Sequence, residues 1–148
     1  MITVRAAPPV NMPWIAERAG LALTPDLRVL EAVDENMRIV GQVGFNSATP
    51  NAVTCHIALA YPLALRRLLR PAFAAMFDPW PNGYGRQLAL APVLSTNERS
   101  LALVRSLGFV EAFRGRDYWE PGVDMVWHEM RADQCRYWSP KVETREAA

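Results

Sequence analysis

The chain has 148 residues, and its 16 Lys and Arg residues nearly balance its 15 Asp and Glu residues, which gives a formal net charge of +1. A chain of this length with 51% hydrophobic residues has enough apolar material for one folded domain and is not intrinsically disordered. The near-neutral balance lacks the basic excess of a nucleic-acid-binding protein, so no nucleic acid is expected as a partner.

Patterns for membrane insertion, secretion and metal binding are missing from the sequence. No apolar run reaches the roughly 18 residues that span a bilayer, so no membrane partner is expected. Residues 1–5 lack the charged and apolar regions of a secretion signal, so the expected location is the cytoplasm. The two cysteines, Cys55 and Cys135, fit neither a disulfide framework nor a zinc site, and no metal is expected.

The first third of the chain predicts a strand, a helix and a hairpin. Residues 2–6 alternate apolar and polar side chains, which indicates a strand. A helix is predicted over residues 11–21, with Asn11 as its N-cap and Pro13 in its first turn. Residues 27–32 and 38–45 alternate again around a short polar turn and predict a hairpin.

The middle of the chain predicts a strand, a helix and a second strand. Residues 53–60 are the most β-like run, with Val53, Cys55, Ile57 and Leu59 on one face and Thr54, His56, Ala58 and Ala60 on the other. The period then changes to that of a helix, with an apolar stripe of Leu65, Leu68, Leu69, Ala72 and Met76. Pro71 lies inside this helix and is expected to kink or split it. Residues 87–93 form the next strand.

The last third predicts a helix and two closing strands. Thr96 or Asn97 caps a helix that runs to Leu107, and Gly108 is placed as its left-handed C-terminal cap. Residues 109–114 and 123–130 predict strands on either side of a turn at 117–122. We expect one domain over residues 1–138 and a poorly ordered polar tail at 139–148.

The resulting order is β-α-β-β-β-α-β-α-β-β. The helix between strands 53–60 and 87–93 implies a right-handed parallel crossover, and the hairpins imply antiparallel pairing elsewhere. The predicted fold is therefore α/β, or α+β by strict criteria, with a mixed, mostly antiparallel sheet and helices on both faces.

One segment of the chain resembles a known family. Asn97, Ser100 three residues later and the ending Leu107-Gly108-Phe109 resemble the fourth-helix signature of the GCN5-related N-acetyltransferases (GNAT). The predicted element order over residues 2–130 is similar to the acyl-CoA N-acyltransferase fold of that superfamily. Residues 49–53, 56–58, 129–131 and 135–138 look similar to a short subgroup that phages and prophages often encode, for which the location would be the host cytoplasm.

The resemblance implies that acetyl-CoA is the co-substrate. It would lie between strands 53–60 and 87–93, with its pyrophosphate at the N-terminus of the helix after Ala60, where free N–H groups favour anions. The family places a glycine-rich loop there, whereas residues 60–67 contain no glycine, so Arg66 and Arg67 are expected to supply charge instead. The residues implied to contact the cofactor are Ala58, Leu59, Ala60, Leu63, Leu65, Arg66, Arg67 and Asn97.

His56 is the candidate general base, because an imidazole suits the removal of a proton from an amine near neutral pH. A hydrogen-bonded structural histidine is the alternative. Many family members have a Tyr where this chain has Val104, so Tyr118 and Tyr61 are the candidate general acids, with Tyr118 taken as catalytic.

Other side chains have a structural and a functional interpretation. Glu31, Glu111 and Asp124 either orient the amine or are solvated, while Cys55 is expected to be a buried inert thiol. Trp119 either packs structurally or lines the acceptor pocket.

The resemblance implies an N-acetyltransferase that transfers directly to an amine on a protein, a peptide or a small molecule. Only one helix fits between residues 6 and 27, where the family commonly has two that wall the acceptor site. A short wall leaves an open cleft, or one that a second copy completes in a homodimer. The alternative function is a catalytically inactive binding module of the same fold, or a phage-associated structural module.

Overall fold

The computed structural model describes residues 1–141 of the chain. A seven-stranded, open mixed sheet has the order β1-β2-β3-β4-β5-β7-β6. The strands are β1 (Thr3–Ala6), β2 (Arg28–Val33), β3 (Ile39–Ser47), β4 (Ala52–Leu59), β5 (Leu88–Leu94), β6 (Val110–Glu120) and β7 (Val123–Arg131). The α-helices are α1 (Pro13–Ala19), α2 (Pro62–Phe77) and α3 (Glu98–Ser106), with 3₁₀ turns at Pro9–Asn11 and Ala132–Gln134.

The expected fold class is confirmed in its pairing pattern. β4 and β5 are parallel and are joined by the α2 crossover, while the other neighbouring strands are antiparallel. The helices lie on both faces of the sheet, since α2 and α3 cover one face and α1 covers part of the other.

The main core lies between the sheet and the two longer helices. In α2 the buried residues recur at helical spacing, so one stripe faces the sheet: Ala64, Leu68, Ala72, Phe73, Met76 and Phe77. A smaller cluster lies under α1 and consists of Ala7, Ile15, Leu27 and Val29. Glycines with positive φ follow the ends of α1 and α3, at +67° for Gly20 and at +101° for Gly108, the residue predicted as a left-handed cap.

Two local predictions are wrong, and a third is wrong in one of its two alternatives. Of the kink or split expected at Pro71, the split does not occur, because α2 continues as one helix of 16 residues whose buried stripe on both sides of Pro71 packs on the sheet. Asn11 does not cap α1; Met12 holds that position without a side-chain bond, and the Asn11 amide binds Glu31 instead. β6 runs on to Glu120 rather than ending near residue 114, with irregular register between Gly115 and Glu120.

The predicted tail lies mostly outside the described residues. Trp138, the last residue of the predicted domain, is held in place, since its indole N–H donates to Asp78 Oδ1 at 2.9 Å and its ring packs edge-on against Phe77. Lys141 Nζ lies 3.8 Å from Asp78 Oδ2. Among residues 1–141, no helix is long and apolar enough to cross a membrane.

Candidate active site

The two parallel strands part in the middle of the sheet. β4 and β5 pair only over Ala52–Thr54 and Leu88–Leu90, although both strands continue beyond that point. β5 stays paired with β7 along its whole length, and Pro92 removes one backbone donor from its second half. A gap therefore opens between the ends of β4 and β5.

A cavity of about 900 Å³ occupies this gap. Its walls come from the end of β4, the second half of β5, the C-terminal end of α1, one side of α2 and of α3 along most of their length, and the β6–β7 hairpin. Of the candidates predicted from sequence, it brings together His56, Ala58, Leu59, Ala60, Leu65, Asn97, Tyr61 and Trp119.

His56 lines the cavity on the face of the sheet that carries α1. Its cross-strand neighbour is Gly44, and Ile15 and Leu27 pack over that glycine. This apolar surrounding lowers the pKa of the half-buried His56 by disfavouring its charged form. No side chain or backbone group among residues 1–141 hydrogen-bonds to the ring, so the neutral imidazole is available to accept a proton.

Cys55 lines the cavity from the opposite face of the sheet. Burial raises the pKa of its thiol to about 12, so it stays protonated at neutral pH. Because the thiolate is the nucleophilic form, Cys55 is unsuited to carry an acyl group covalently. The interpretation of Cys55 as an inert thiol agrees with this environment.

The beginning of α2 has a different surface from the one expected. The side chains of Leu63, Arg66 and Arg67 are exposed and lie outside the cavity lining. The reason is the helix period, since the stripe at Ala64 and Leu68 faces the sheet and turns these three residues outward.

α3 contributes the polar groups at the other side of the gap. The Asn97 side chain accepts a hydrogen bond from the Ser100 N–H at 3.2 Å and caps the helix. Asn97, Arg99, Ser100 and Val104 line the cavity. Arg99 is exposed and pairs with no group among residues 1–141, and sequence reasoning missed it although it lies inside the signature segment.

The hairpin and α1 complete the outer wall. Both aromatic side chains at the hairpin are exposed, but Trp119 lines the cavity, whereas Tyr118, whose ring lies over Gly115, does not. Glu17 and Arg18 at the end of α1 also line it and were not predicted. The Arg18 guanidinium lies 4.0 Å from the centre of the Trp14 ring, which fixes it at the mouth.

The three candidate carboxylates are engaged elsewhere. Glu111 and Asp124 both bind Arg114 on the hairpin, at 3.4 Å and 3.2 Å. Glu31 is fully buried under α1 and accepts from Arg5 Nε at 2.8 Å. None of the three lines the cavity.

Glu31 belongs to a buried polar network that sequence reasoning missed. Gln42 donates to Glu31 Oε2 at 3.2 Å and to the Asn11 carbonyl at 3.0 Å. Its Oε1 accepts from the Ile15 N–H at 3.1 Å. No side-chain hydrogen bond from the N-cap residue caps α1. Gln42, which lies on β3, instead accepts from the Ile15 N–H in the first turn of this helix. The network thus anchors the helix that forms the outer wall.

A CoA thioester requires a slot for its pantetheine arm and donors for its phosphates. The residues present meet the first requirement directly, and they meet the second through side chains rather than backbone amides. The gap offers an apolar slot for the pantetheine arm. The first turn of α2 offers few amides for phosphates, because Pro62 has none and the Ala64 N–H already donates to the Tyr61 carbonyl at 3.1 Å. Side-chain cations, with Arg99 facing the gap, are the groups left to bind phosphate.

Comparison with known proteins establishes the fold. No family model matches this sequence, and no curated protein does. Solved structures of GNAT-family acetyltransferases match most of the chain. The spermidine N-acetyltransferase SpeG from Vibrio cholerae, in complex with CoA and spermine, has a TM-score of 0.69 at 12% identity and covers 90% of this chain and 96% of its own.

Two further matches come from the same group of folds. A protein assigned to the GNAT family from Desulfovibrio desulfuricans has a TM-score of 0.69 at 13% identity, over 88% of this chain and 99% of its own. A protein assigned as a phosphinothricin N-acetyltransferase has a TM-score of 0.65 at 16% identity, over 88% and 98%. The chain therefore has the GNAT acetyltransferase fold expected from its signature segment.

Proposed function

We propose that this protein is an N-acetyltransferase that uses acetyl-CoA and transfers the acetyl group directly to an amine. The observation that carries the proposal is the gap between β4 and β5, which has an available neutral imidazole on one face and the capped start of α3 with Arg99 on the other. The SpeG structure with CoA and spermine supports the choice of donor by analogy of fold.

In this proposal acetyl-CoA supplies the activated acyl carbon. The amine nitrogen bonds to that carbon, the thioester C–S bond breaks, and CoA leaves as the thiol. His56 accepts the proton that the amine loses. Tyr61, the phenol that lines the cavity, is the proposed donor of the proton to sulfur, and Tyr118 has no part in this scheme.

Direct transfer is favoured over a covalent enzyme intermediate. The only cysteine that lines the cavity in the described chain is Cys55, and its raised pKa keeps it protonated. Ser100 also lines the cavity, but its backbone N–H serves the α3 cap and no histidine bonds its hydroxyl.

Calorimetric titration of the protein with acetyl-CoA tests the proposal. We expect micromolar binding, about −8 kcal/mol, that weakens about tenfold or more in Arg99→Ala. Arg70→Ala is the matched control, since Arg70 is an exposed arginine of α2 outside the cavity, and it should bind like the wild type. The Arg66→Ala, Arg67→Ala pair measures any contribution from the outward-facing arginines. No binding at millimolar acetyl-CoA would contradict the proposal and favour the inactive-module alternative.

A further inference from the structure

The face of the sheet that carries His56 is covered over only half of its width. α1 packs against β3 and β4, and no other α-helix of residues 1–141 lies on this face. Across β5, β7 and β6, the same face presents apolar side chains that are half-buried or exposed. We call those in the half nearer the gap the apolar strip: Pro92, Leu94, Phe113, Met125 and Trp127.

The strand register places these side chains on one face. Pro92 pairs with Trp127, and Trp127 pairs with Phe113, so the three lie side by side across the strands. The Phe113 and Trp127 rings stack with centroids 5.4 Å apart. Leu94 pairs with Met125 one step nearer the gap. The intervening residues of β5 and β7 point to the main core, so the strip is a continuous surface.

The strip continues directly from the cavity. Pro92, Leu94 and Met125 line the cavity together with His56 and Trp119. An acceptor that reaches His56 with its amine therefore has its remaining atoms next to the strip. The strip is the surface on which the body of the acceptor would lie.

The width of the strip indicates the size of that body. From β4 to β6 there are three strand spacings, and the open one between β4 and β5 is wider than the paired spacing of about 4.8 Å, so the distance is at least roughly 14 Å. An extended polypeptide advances about 3.3 Å per residue, so about four residues cover this distance. A small amine covers only the part nearest His56.

The charge of the cavity argues against a polycationic acceptor. In the described chain the cavity lining contains one carboxylate, Glu17, and two guanidinium groups, Arg18 and Arg99. Because Arg99 is assigned to the phosphates of the donor, the acceptor is left with one carboxylate and one guanidinium, and a polyamine with several positive charges would find no excess of negative charge here. SpeG in complex with CoA and spermine is similar to this chain in fold, but that similarity does not include the charges that line this cavity.

The basicity of His56 points the same way. A base with a lowered pKa serves an amine that is already partly neutral at physiological pH. A polypeptide α-amine has a pKa of about 7.7–8, against about 10.4 for a lysine side chain. The α-amine needs less help to lose its proton.

We propose that the acceptor is the N-terminal amine of a polypeptide whose first four or so residues carry apolar side chains that lie on the apolar strip. This inference rests on the proposed function and specifies its substrate class. The amine would sit at His56, and Glu17 is the one carboxylate of the cavity lining in the described chain.

Four probes test the inference with wild-type protein and acetyl-CoA. The first is an octapeptide with a free amine and Leu and Phe within its first four residues; the second has Ser in place of both. The third is the apolar octapeptide with a blocked amine and an added lysine, and the fourth is spermidine. Binding is measured by calorimetry with CoA present, and transfer by mass spectrometry.

The first probe should bind and be acetylated at its N-terminus, with kcat/KM at least tenfold above that of each other probe. Phe113→Ser should raise KM for this probe several-fold and change kcat less than twofold. Val110→Ser is the matched control, because Val110 is similarly exposed on β6 but lies at the end of the strand away from the gap. It should leave both constants unchanged.

The outcomes separate this inference from the proposed function. Failure of acetyl-CoA to bind overturns the proposed function itself. Acetyl-CoA binding together with faster transfer to spermidine or to the lysine probe overturns only the inference, as does acetyl-CoA binding with neither free-amine octapeptide bound. Sedimentation that shows a dimer dissociated by Phe113→Ser, without a change in KM for the first probe, would assign the strip to a second copy and also overturn it.

Discussion

At the scale of single residues, His56 is the side chain on which the proposed chemistry depends. It lies in the gap, and no described group forms a hydrogen bond with its ring. Its removal should therefore affect the proton transfer and not the fold of the cavity. We expect His56→Ala to lower turnover by about 10²–10⁴-fold, while the Kd for acetyl-CoA changes less than twofold. Turnover within a few-fold of the wild type would remove His56 from the mechanism.

His56 also predicts a pH dependence of stability that needs no substrate. Because burial lowers its pKa in the folded chain, the unfolded chain binds more protons as the pH falls below about 6.5. The contribution of His56 to stability is therefore complete above this pH and decreases in acid. Urea unfolding at pH 7.5 and pH 5.5 should show that His56→Gln loses less stability between the two conditions than the wild type. An equal loss in both proteins would contradict the environment described for this ring.

At the scale of elements, the wall of the acceptor site depends on a side chain far from it in sequence. Gln42 on β3 satisfies the Ile15 N–H and helps hold Glu31, so it fixes α1 on the sheet. We expect Gln42→Leu to cost about 1–3 kcal/mol, since it leaves buried polar groups without partners. Gln134→Leu, at an exposed position, is the control. Denaturant unfolding gives the cost, and faster amide exchange confined to α1 gives its location; uniform exchange across α1 and the sheet would contradict the anchoring role.

Much of this element structure was predictable, and the exceptions have physical causes. The alternation of residues 53–60 predicted that His56 and Cys55 would lie on opposite faces, because the period of a strand is two residues. The helix does not split at Pro71, because burial of the α2 stripe outweighs the local propensity of proline. The roles of Asn11 and Gln42 could not be predicted, because the groups they bind are 11 to 31 residues away along the chain.

At the scale of the whole molecule, the signature segment predicted the fold. The residue pattern predicted β4 and β5, the two strands that part at the gap. The direction in which side chains face was harder to predict. The sequence suggested Arg66 and Arg67 as the positive charges for the phosphates of CoA. The packing of α2 turns both side chains outward and leaves Arg99 at the gap. The resemblance to a phage-encoded subgroup stays a prediction.

The uncovered half of the sheet is also a property of the whole molecule. With one short α-helix on the acceptor face, β5, β7 and β6 are left without a helix over them in the described chain. Whether a polypeptide or a second copy covers the apolar strip decides the substrate class, and the octapeptide and sedimentation experiments distinguish the two.

The central claim is that the gap between β4 and β5 is an acyl-CoA site, and a crystal structure grown with CoA tests it most directly. We predict the pantetheine arm between residues 55–60 and 91–94, with the phosphates on the side of Arg99 and the sulfur on the side of His56. CoA bound elsewhere on the molecule, or β4 and β5 closed into a paired ladder, would contradict the account.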